Sequence, residues 1–139
     1  IYTLSLHDAL PIYISNPIKL VWNKEINDTS NMFSGLNNII SIDLSHFDSS
    51  LVTNMQYMFS SCKNLNSIDL SNIDTSQVTN MGNIFYSCSS LVSIDVSSFN
   101  TSKAIYLYGM FSGCSALISI DVSSFDTSQA KSEDTWQAK

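Results

Sequence analysis

Hydrophobic and polar positions repeat along this chain every 26 residues. The string S-I-D-[L/V]-S begins at residues 41, 67, 93 and 119, and no insertion separates the units. Because the intervening residues keep the same register, equivalent positions form columns. The apolar columns include Ile42, Ile68, Ile94 and Ile120; Phe59, Phe85 and Phe111; and Cys62, Cys88 and Cys114. A fixed period of this length is typical of repeat proteins, in which each unit packs on its neighbours.

Each unit has two halves with different hydrophobic periods. In the first half, Ile68 and Leu70 alternate with polar residues, which predicts a half-buried strand. In the second half, apolar residues from Val78 to Cys88 recur at spacings of three and four, which predicts a short helix. We therefore predict an α/β repeat solenoid, a right-handed coil with one short parallel strand and one short helix in each 26-residue repeat.

The two ends of the chain depart from the repeat. Residues 1–12 resemble the translation of a short-read sequencing adapter, codon for codon, so we expect this segment to be non-native. Residues 13–40 form an imperfect first repeat or N-terminal cap, and residues 41–130 form the repeat solenoid. The repeat decays over residues 131–139, which are either a polar cap or a second non-native segment.

Composition and charge exclude several classes of protein. The chain carries 12 acidic residues against 6 lysines and has no arginine, so it is a poor candidate for binding nucleic acid. No apolar run reaches about 18 residues, so we expect no membrane span in this chain.

Catalytic chemistry lacks its usual residues. One histidine, His7, lies in the suspected adapter segment, the other, His46, is isolated, and no glycine-rich phosphate loop is present. The acidic residues repeat identically, whereas an active site places its carboxylates in different environments. We predict no enzymatic activity, no catalytic residue and no cofactor.

The candidate ligand-binding positions form a polar column on the open face of the predicted sheet. They are Asp43, Asp69, Asp95 and Asp121, with the neighbouring Ser45, Ser71 and Ser97. Parallel strands stack about 4.8 Å apart, so we expect these like charges to raise the carboxylate pKa values or to attract cations. A ligand-binding stripe, a weak Ca²⁺ bridge and a solvated face that keeps the protein soluble all remain open, and we assign no metal ligand.

Three further columns have simpler interpretations. The cysteines share the phase of Met and Phe and lack zinc-site spacing, so we expect buried free thiols, with an inter-coil disulfide or a reactive thiol as alternatives. We interpret a second column as a turn and capping device; it contains Asp48, Asp74, Asn100 and Asp126. We place four tyrosines on the outer side of the predicted helix, as interface anchors or ordinary surface residues. They are Tyr57, Tyr86, Tyr106 and Tyr108.

The full unit, L-x-S-I-D-L-S-x-F-D-T-S-x-V-T-N-M-x-x-M-F-x-x-C, resembles the BspA-like leucine-rich repeat surface proteins over about residues 18–130. The resemblance implies a leucine-rich-repeat-like coil at the cell surface or outside the cell. It also implies adhesion, or binding of a host or matrix protein or a glycan, which we place on the open parallel-sheet face. The alternative is a structural spacer or stalk of a larger surface protein, with no ligand site in this fragment.

Overall fold

The repeats form a stack of irregular coils, as seen in a computed structural model that describes residues 25–131. Within this range the backbone contains no helix, and its strand-type pairing consists of three isolated parallel bridges. They join Asp28 to Asn54, Asn54 to Asn80, and Asn80 to Tyr106. The predicted α/β solenoid, with a strand and a helix in each repeat, is therefore wrong. Each 26-residue repeat is instead a coil of tight turns that packs against the neighbouring coils.

Backbone hydrogen bonding explains why the segment predicted to be helical is a run of turns. Every second N–H group donates to the following coil: Met55 donates to the Asn80 carbonyl at 2.8 Å, and Tyr57 and Phe59 follow the same rule. The N–H groups of Met58, Ser60 and Cys62, which lie between or after these, donate three residues back, as Met58 does to the Met55 carbonyl at 3.1 Å. An α-helix uses successive N–H groups for carbonyls four residues back in its own segment, so this division between coils excludes it.

Two residues in each such segment also have a left-handed backbone. In one coil these are Tyr57, with φ of 58°, and Ser61, with φ of 60°. The equivalent residues of the two following coils are Asn83 and Ser87, then Gly109 and Gly113. A left-handed residue interrupts a right-handed helix, so the spacing of three and four comes from consecutive turns that direct apolar side chains inward.

The segment predicted to be a strand alternates its side chains without forming a ladder. Leu70 is buried and Asp69 is exposed, as the alternation predicts. Backbone pairing along this side, within residues 25–131, consists of the Asn66 N–H donating to the Ile40 carbonyl at 3.1 Å and the Val92 N–H donating to the Asn66 carbonyl at 3.4 Å. The described coils therefore present a row of extended segments here, and not a parallel sheet.

Apolar side chains of successive coils lie over one another and form the core. The rings of Phe33, Phe59, Phe85 and Phe111 stack in a row with centroid separations of 5.5, 5.4 and 5.8 Å and interplanar angles of 11°, 4° and 7°. Stacked aromatic pairs contribute about 0.5–1.5 kcal/mol beyond the burial of their surface. In the isoleucine column Ile68 is buried, and the partly buried members packed against the core are Ile42, Ile94 and Ile120.

Buried hydroxyl groups join the coils along a second line. Thr75 Oγ1 accepts the N–H of Asn100 at 2.8 Å and donates to the Asn100 carbonyl at 3.1 Å. Thr101 makes the same two bonds with Asp126, at 2.7 and 3.0 Å. Ser49 accepts the equivalent N–H of its following coil at 2.8 Å. These three side chains are 1–2% exposed, so their hydroxyls provide partners for backbone groups held away from water.

The described range covers the predicted segments unequally. Residues 1–12 lie outside it, as do residues 13–24 of the predicted first repeat and residues 132–139 of the predicted C-terminal end. In the last coil, Val122 and Phe125 are partly buried against the core, whereas their equivalents Val96 and Phe99 are 1% and 3% exposed. Burial is therefore greatest in the coils that have a neighbour on both sides.

Candidate functional site

Each aspartate of the predicted ligand column closes a tight turn. Oδ1 of Asp69 accepts the backbone N–H of Ser71, two residues later, at 2.9 Å. The same bond, also at 2.9 Å, joins Asp43 to Ser45, Asp95 to Ser97 and Asp121 to Ser123. A side-chain oxygen that accepts the N–H two residues on defines an Asx-turn. The four carboxylates are therefore exposed turn residues, and each is fixed in direction by its own backbone.

These turns lower the pKa values of the aspartates. The backbone N–H and then the hydroxyl of Ser71 lower the pKa of Asp69, although the charges of Asp43 and Asp95 raise it. At Asp95 the hydroxyl of Ser97 is the larger influence and its backbone N–H the next. The expectation that stacking raises these pKa values is wrong, because hydrogen bonds to the ionised form outweigh the repulsion between neighbouring coils.

The second acidic column makes the same turn. The N–H of Ser76 donates to Asp74 Oδ1 at 2.8 Å, and the N–H of Ser102 donates to Asn100 Oδ1 at 3.1 Å. The equivalent distances at Asp48 and Asp126 are 3.0 and 2.9 Å. The interpretation of this column as a turn device agrees with these bonds. Because Asn100 fills the position without a charge, the turn needs an oxygen acceptor and not a carboxylate.

We call the exposed aspartates of the two columns together the acidic edge. It consists of Asp43, Asp48, Asp69, Asp74, Asp95, Asp121 and Asp126. The charges of Asp43 and Asp95 act on Asp69, and that of Asp48 acts on Asp74, so the carboxylates of successive coils are neighbours. Two lysines of the described residues make contacts elsewhere: Lys103 donates to Gln77 Oε1 at 2.7 Å, and Lys131 donates to the Tyr106 hydroxyl at 2.9 Å.

The cysteine column lies in the core as free thiols. Each Sγ donates to a phenylalanine carbonyl 29 residues earlier, at 3.1 Å, as Cys88 does to Phe59. Burial raises the pKa of Cys62 to about 11 and that of Cys88 to about 12, and it also raises the pKa of Cys114. Between residues 25 and 131, no group of three or more His, Cys, Asp or Glu side chains is placed to hold a metal ion.

A third column of turns is formed by asparagines in two successive coils, and in the next coil two tyrosines replace the residues of that turn. Oδ1 of Asn54 accepts the Gln56 N–H at 3.0 Å, and Oδ1 of Asn80 accepts the Gly82 N–H at 3.0 Å. In the next coil these two positions are Tyr106 and Tyr108, whose rings meet at 6.3 Å between centroids and at 80° between planes. We call these two residues the tyrosine pair.

One family matches this chain, over residues 27–137: "Mycoplasma protein of unknown function, DUF285". The chain belongs to the DUF285 family. No curated protein and no solved structure matches it. The part of this DUF285 chain that the structure describes contains no helix long and apolar enough to cross a membrane.

The tyrosine pair of this DUF285 chain was missed as a unit by reasoning from the sequence. The sequence predicts one outer surface with four tyrosines, but among these four, within the described residues, only Tyr106 and Tyr108 have rings in contact. Tyr86 is 41% exposed elsewhere, and Tyr57 occupies a left-handed turn position. The available signal is the change from T-N-M-Q and T-N-M-G, at residues 53–56 and 79–82, to I-Y-L-Y at 105–108.

Proposed function

We propose that this DUF285 chain is a cell-surface repeat module that binds macromolecules through the acidic edge. Its resemblance to BspA-like surface proteins supports the location and the adhesive role. The observation that carries the proposal is the pair of carboxylate columns, in which hydrogen bonds hold the pKa values of the aspartates low. The partner is a host or matrix protein with a basic surface.

Electrostatics supports a basic partner. The charges of Asp43 and Asp95 disfavour the ionised form of Asp69, so each column carries repulsion that a partner's cations relieve. The Asx-turns direct these carboxylates in the unbound protein, so little side-chain freedom is lost when a partner binds. Binding of this kind weakens as salt is added, because exposed charges are screened over about 10 Å at 0.1 M ionic strength.

A structural spacer is the second candidate function. It is favoured by the identical use of the acidic positions in every coil, where each side-chain oxygen holds the same turn. On this alternative, the charge keeps the module soluble and recognition lies elsewhere in a larger protein.

The two candidates are separated by removing charge without removing the turns. We suggest replacing Asp43, Asp69, Asp95 and Asp121 by Asn, because Asn100 already supports an Asx-turn. The variant and the parent chain are compared for binding to immobilised mammalian matrix proteins and to poly-L-lysine, at low and high salt. Binding that falls more than ten-fold while thermal melts show that the variant is fully folded at the assay temperature supports the acidic edge. Unchanged binding to matrix proteins supports the spacer.

A further inference from the structure

The row of extended segments exposes aliphatic side chains at one position of the repeat. Ile40, Val92 and Ile118 share this position and are 64%, 48% and 85% exposed. Asn66 fills it in the coil between Ile40 and Val92 and is also exposed. The Asn66 N–H donates to the Ile40 carbonyl and the Val92 N–H donates to the Asn66 carbonyl, so these residues lie side by side. We call the four positions the outer column.

The outer column is exposed because the alternation of side chains is interrupted there. Leu91 is fully buried and Ile94 packs against the core, so the two residues between them, Val92 and Ser93, are both exposed. The alternation resumes at Asp95, which is exposed. Three residues span at most about 10 Å of chain, so the aliphatic position and the aspartate of each coil lie within reach of one partner segment.

The fold does not require an aliphatic side chain in the outer column. Asn66 makes the backbone bonds of the column at 3.1 and 3.4 Å while its own side chain is polar. The other three positions nevertheless expose Val or Ile to solvent. Apolar surface that water covers in the free protein is buried when a partner docks, so this column supplies a driving force for binding that the acidic edge lacks.

The two flanks of the outer column differ in charge, and this difference selects the partner. One flank carries the first aspartate column of the acidic edge. The other flank is polar, with one positive charge, and consists of Asn37, Lys63, Ser89 and Ser115. A second copy of the chain has the same net charge of -6, which opposes pairing of two copies. A segment with lysines or arginines along one side of its aliphatic side chains matches both the column and its acidic flank.

We propose that the outer column is the apolar half of a docking surface for a basic amphipathic helix. The helix lies along the stack, so that its aliphatic side chains cover Ile40, Val92 and Ile118 and its basic side chains pair with the neighbouring aspartates. The spacing fits, because the stacked phenylalanine rings of successive coils are 5.4–5.8 Å apart and an α-helix rises 5.4 Å per turn. This inference rests on the proposed function and specifies the chemistry of its partner.

The test measures binding of the full chain to two synthetic peptides of identical composition, made of Leu, Lys, Ala and Gln. In the amphipathic peptide, leucines recur at spacings of three and four with lysines along one side of them. In the shuffled peptide, the same residues form no apolar stripe. We expect the amphipathic peptide to bind tighter by about ten-fold or more, because only its leucines cover the outer column together.

Substitutions within the outer column should change this binding in both directions. Val92→Asn should weaken binding of the amphipathic peptide by at least about five-fold and leave binding of poly-L-lysine unchanged. Asn66→Val should strengthen binding of the amphipathic peptide, because it makes the column continuous. Asn66 already fits the column, so Val92→Asn should melt as the parent does. If Val92→Asn does not fold, Asn66→Val decides the test.

Leu51→Asn is the matched control. Leu51 is 49% exposed, close to the 48% of Val92, but the equivalent residues of the following coils are polar. They are Gln77, Lys103 and Gln129. Leu51→Asn should therefore leave binding of the amphipathic peptide unchanged. Equal losses from Leu51→Asn and Val92→Asn overturn the proposal, and so does equal binding of the amphipathic and shuffled peptides.

The variant with Asn at residues 43, 69, 95 and 121 separates this inference from the proposed function. We expect it to bind both the amphipathic peptide and poly-L-lysine more weakly than the parent. If it does so while Val92→Asn and Asn66→Val have no effect, the acidic edge stands and the outer column is overturned. If it binds both probes as the parent does, the proposed function itself is overturned.

Discussion

The acidic edge and the tyrosine pair differ in how they relate to the repeat. On the acidic edge, each aspartate makes the same bond to a serine two residues later, and the four distances in the first column are all 2.9 Å. At the tyrosine pair, one side chain covers a glycine one coil away and contacts a glutamine two coils away. The first surface is a consequence of how each coil turns, whereas the second exists once in the described residues.

This difference shows how to interpret repetition in such a chain. A position that recurs with the same partner in every coil is explained by the coil itself, since each repeat must close the same turns and fill the same core. A position that departs from its column while the backbone pairing continues needs a separate explanation. Tyr106 is such a position, because its bridge to Asn80 persists although the turn-forming Asn is lost.

The largest expected effect comes from breaking a repeated core column. Phe85 is fully buried and stacks on Phe59 and Phe111, so Phe85→Ala should lower the free energy of unfolding by about 3–5 kcal/mol. Tyr108→Ala, outside the repeated set, should lower it by a smaller amount, about 1–2 kcal/mol, because the ring is partly buried and its hydroxyl accepts one hydrogen bond. Urea titrations of both variants measure this. Equal losses would show that the tyrosine pair belongs to the scaffold.

A smaller loss is expected from the buried hydroxyl line. Thr75→Val keeps the shape of the side chain but leaves the N–H and carbonyl of Asn100 without their partner. We expect a loss of about 1–3 kcal/mol in unfolding free energy. Thr75→Ser is the control, since Ser49 makes the equivalent bond to the following coil, and it should retain most of the stability. If the valine variant is as stable as the parent, the buried hydroxyl groups do not contribute to holding the coils together.

Acid should destabilise the protein through the acidic edge. Hydrogen bonds lower the native pKa values of these aspartates, so their contribution is complete above the ordinary pKa of about 3.9 and is lost as pH falls through the lower native values. Melting temperature should therefore be nearly constant from neutral pH to about pH 5 and should fall below about pH 4. The four-fold Asn variant should show a weaker fall. An identical acid profile would contradict this assignment.

The smallest expected effect on stability distinguishes, at one aspartate, the contribution of the Asx-turn from that of the negative charge. Asp69→Ala removes the acceptor of the Ser71 N–H and should lower the melting temperature slightly, whereas Asp69→Asn keeps an oxygen acceptor and should lower it less. Thermal melts of the two variants, recorded beside the parent, measure this difference. A stable alanine variant would mean that the Asx-turn is not needed to close the coil.

The sequence indicated the 26-residue period and the columns of equivalent residues, but it did not indicate the local backbone conformation. The period of the repeat and the position of each column within it depend on which side chains are apolar, and the sequence shows that directly. Whether Met55 donates its N–H four residues back or to the next coil depends on stacking, which a single unit does not reveal. Gly109 and Gly113 in the predicted helical segment were the available warning, because they share columns with the left-handed Tyr57 and Ser61.

The site was predicted in the same partial way. The aspartate columns were visible, but the direction of their pKa shift was not, because it depends on the bond to the serine two residues on and not only on the repulsion between coils. The D-x-S spacing itself contains that bond. The tyrosine pair needed the fold, since Gln56 and Tyr108 are 52 residues apart and meet only when three coils are stacked.

The thiol line has a consequence for the redox behaviour of the protein. Each cysteine gives its hydrogen to a main-chain oxygen in the interior, and the raised pKa values keep the reactive thiolate scarce at neutral pH. A disulfide between two of these cysteines would remove the S–H groups that donate to two backbone carbonyls, and it would leave the third cysteine without a disulfide partner. The stack is therefore held together without covalent crosslinks, and its integrity should be indifferent to whether the surroundings are reducing or oxidising.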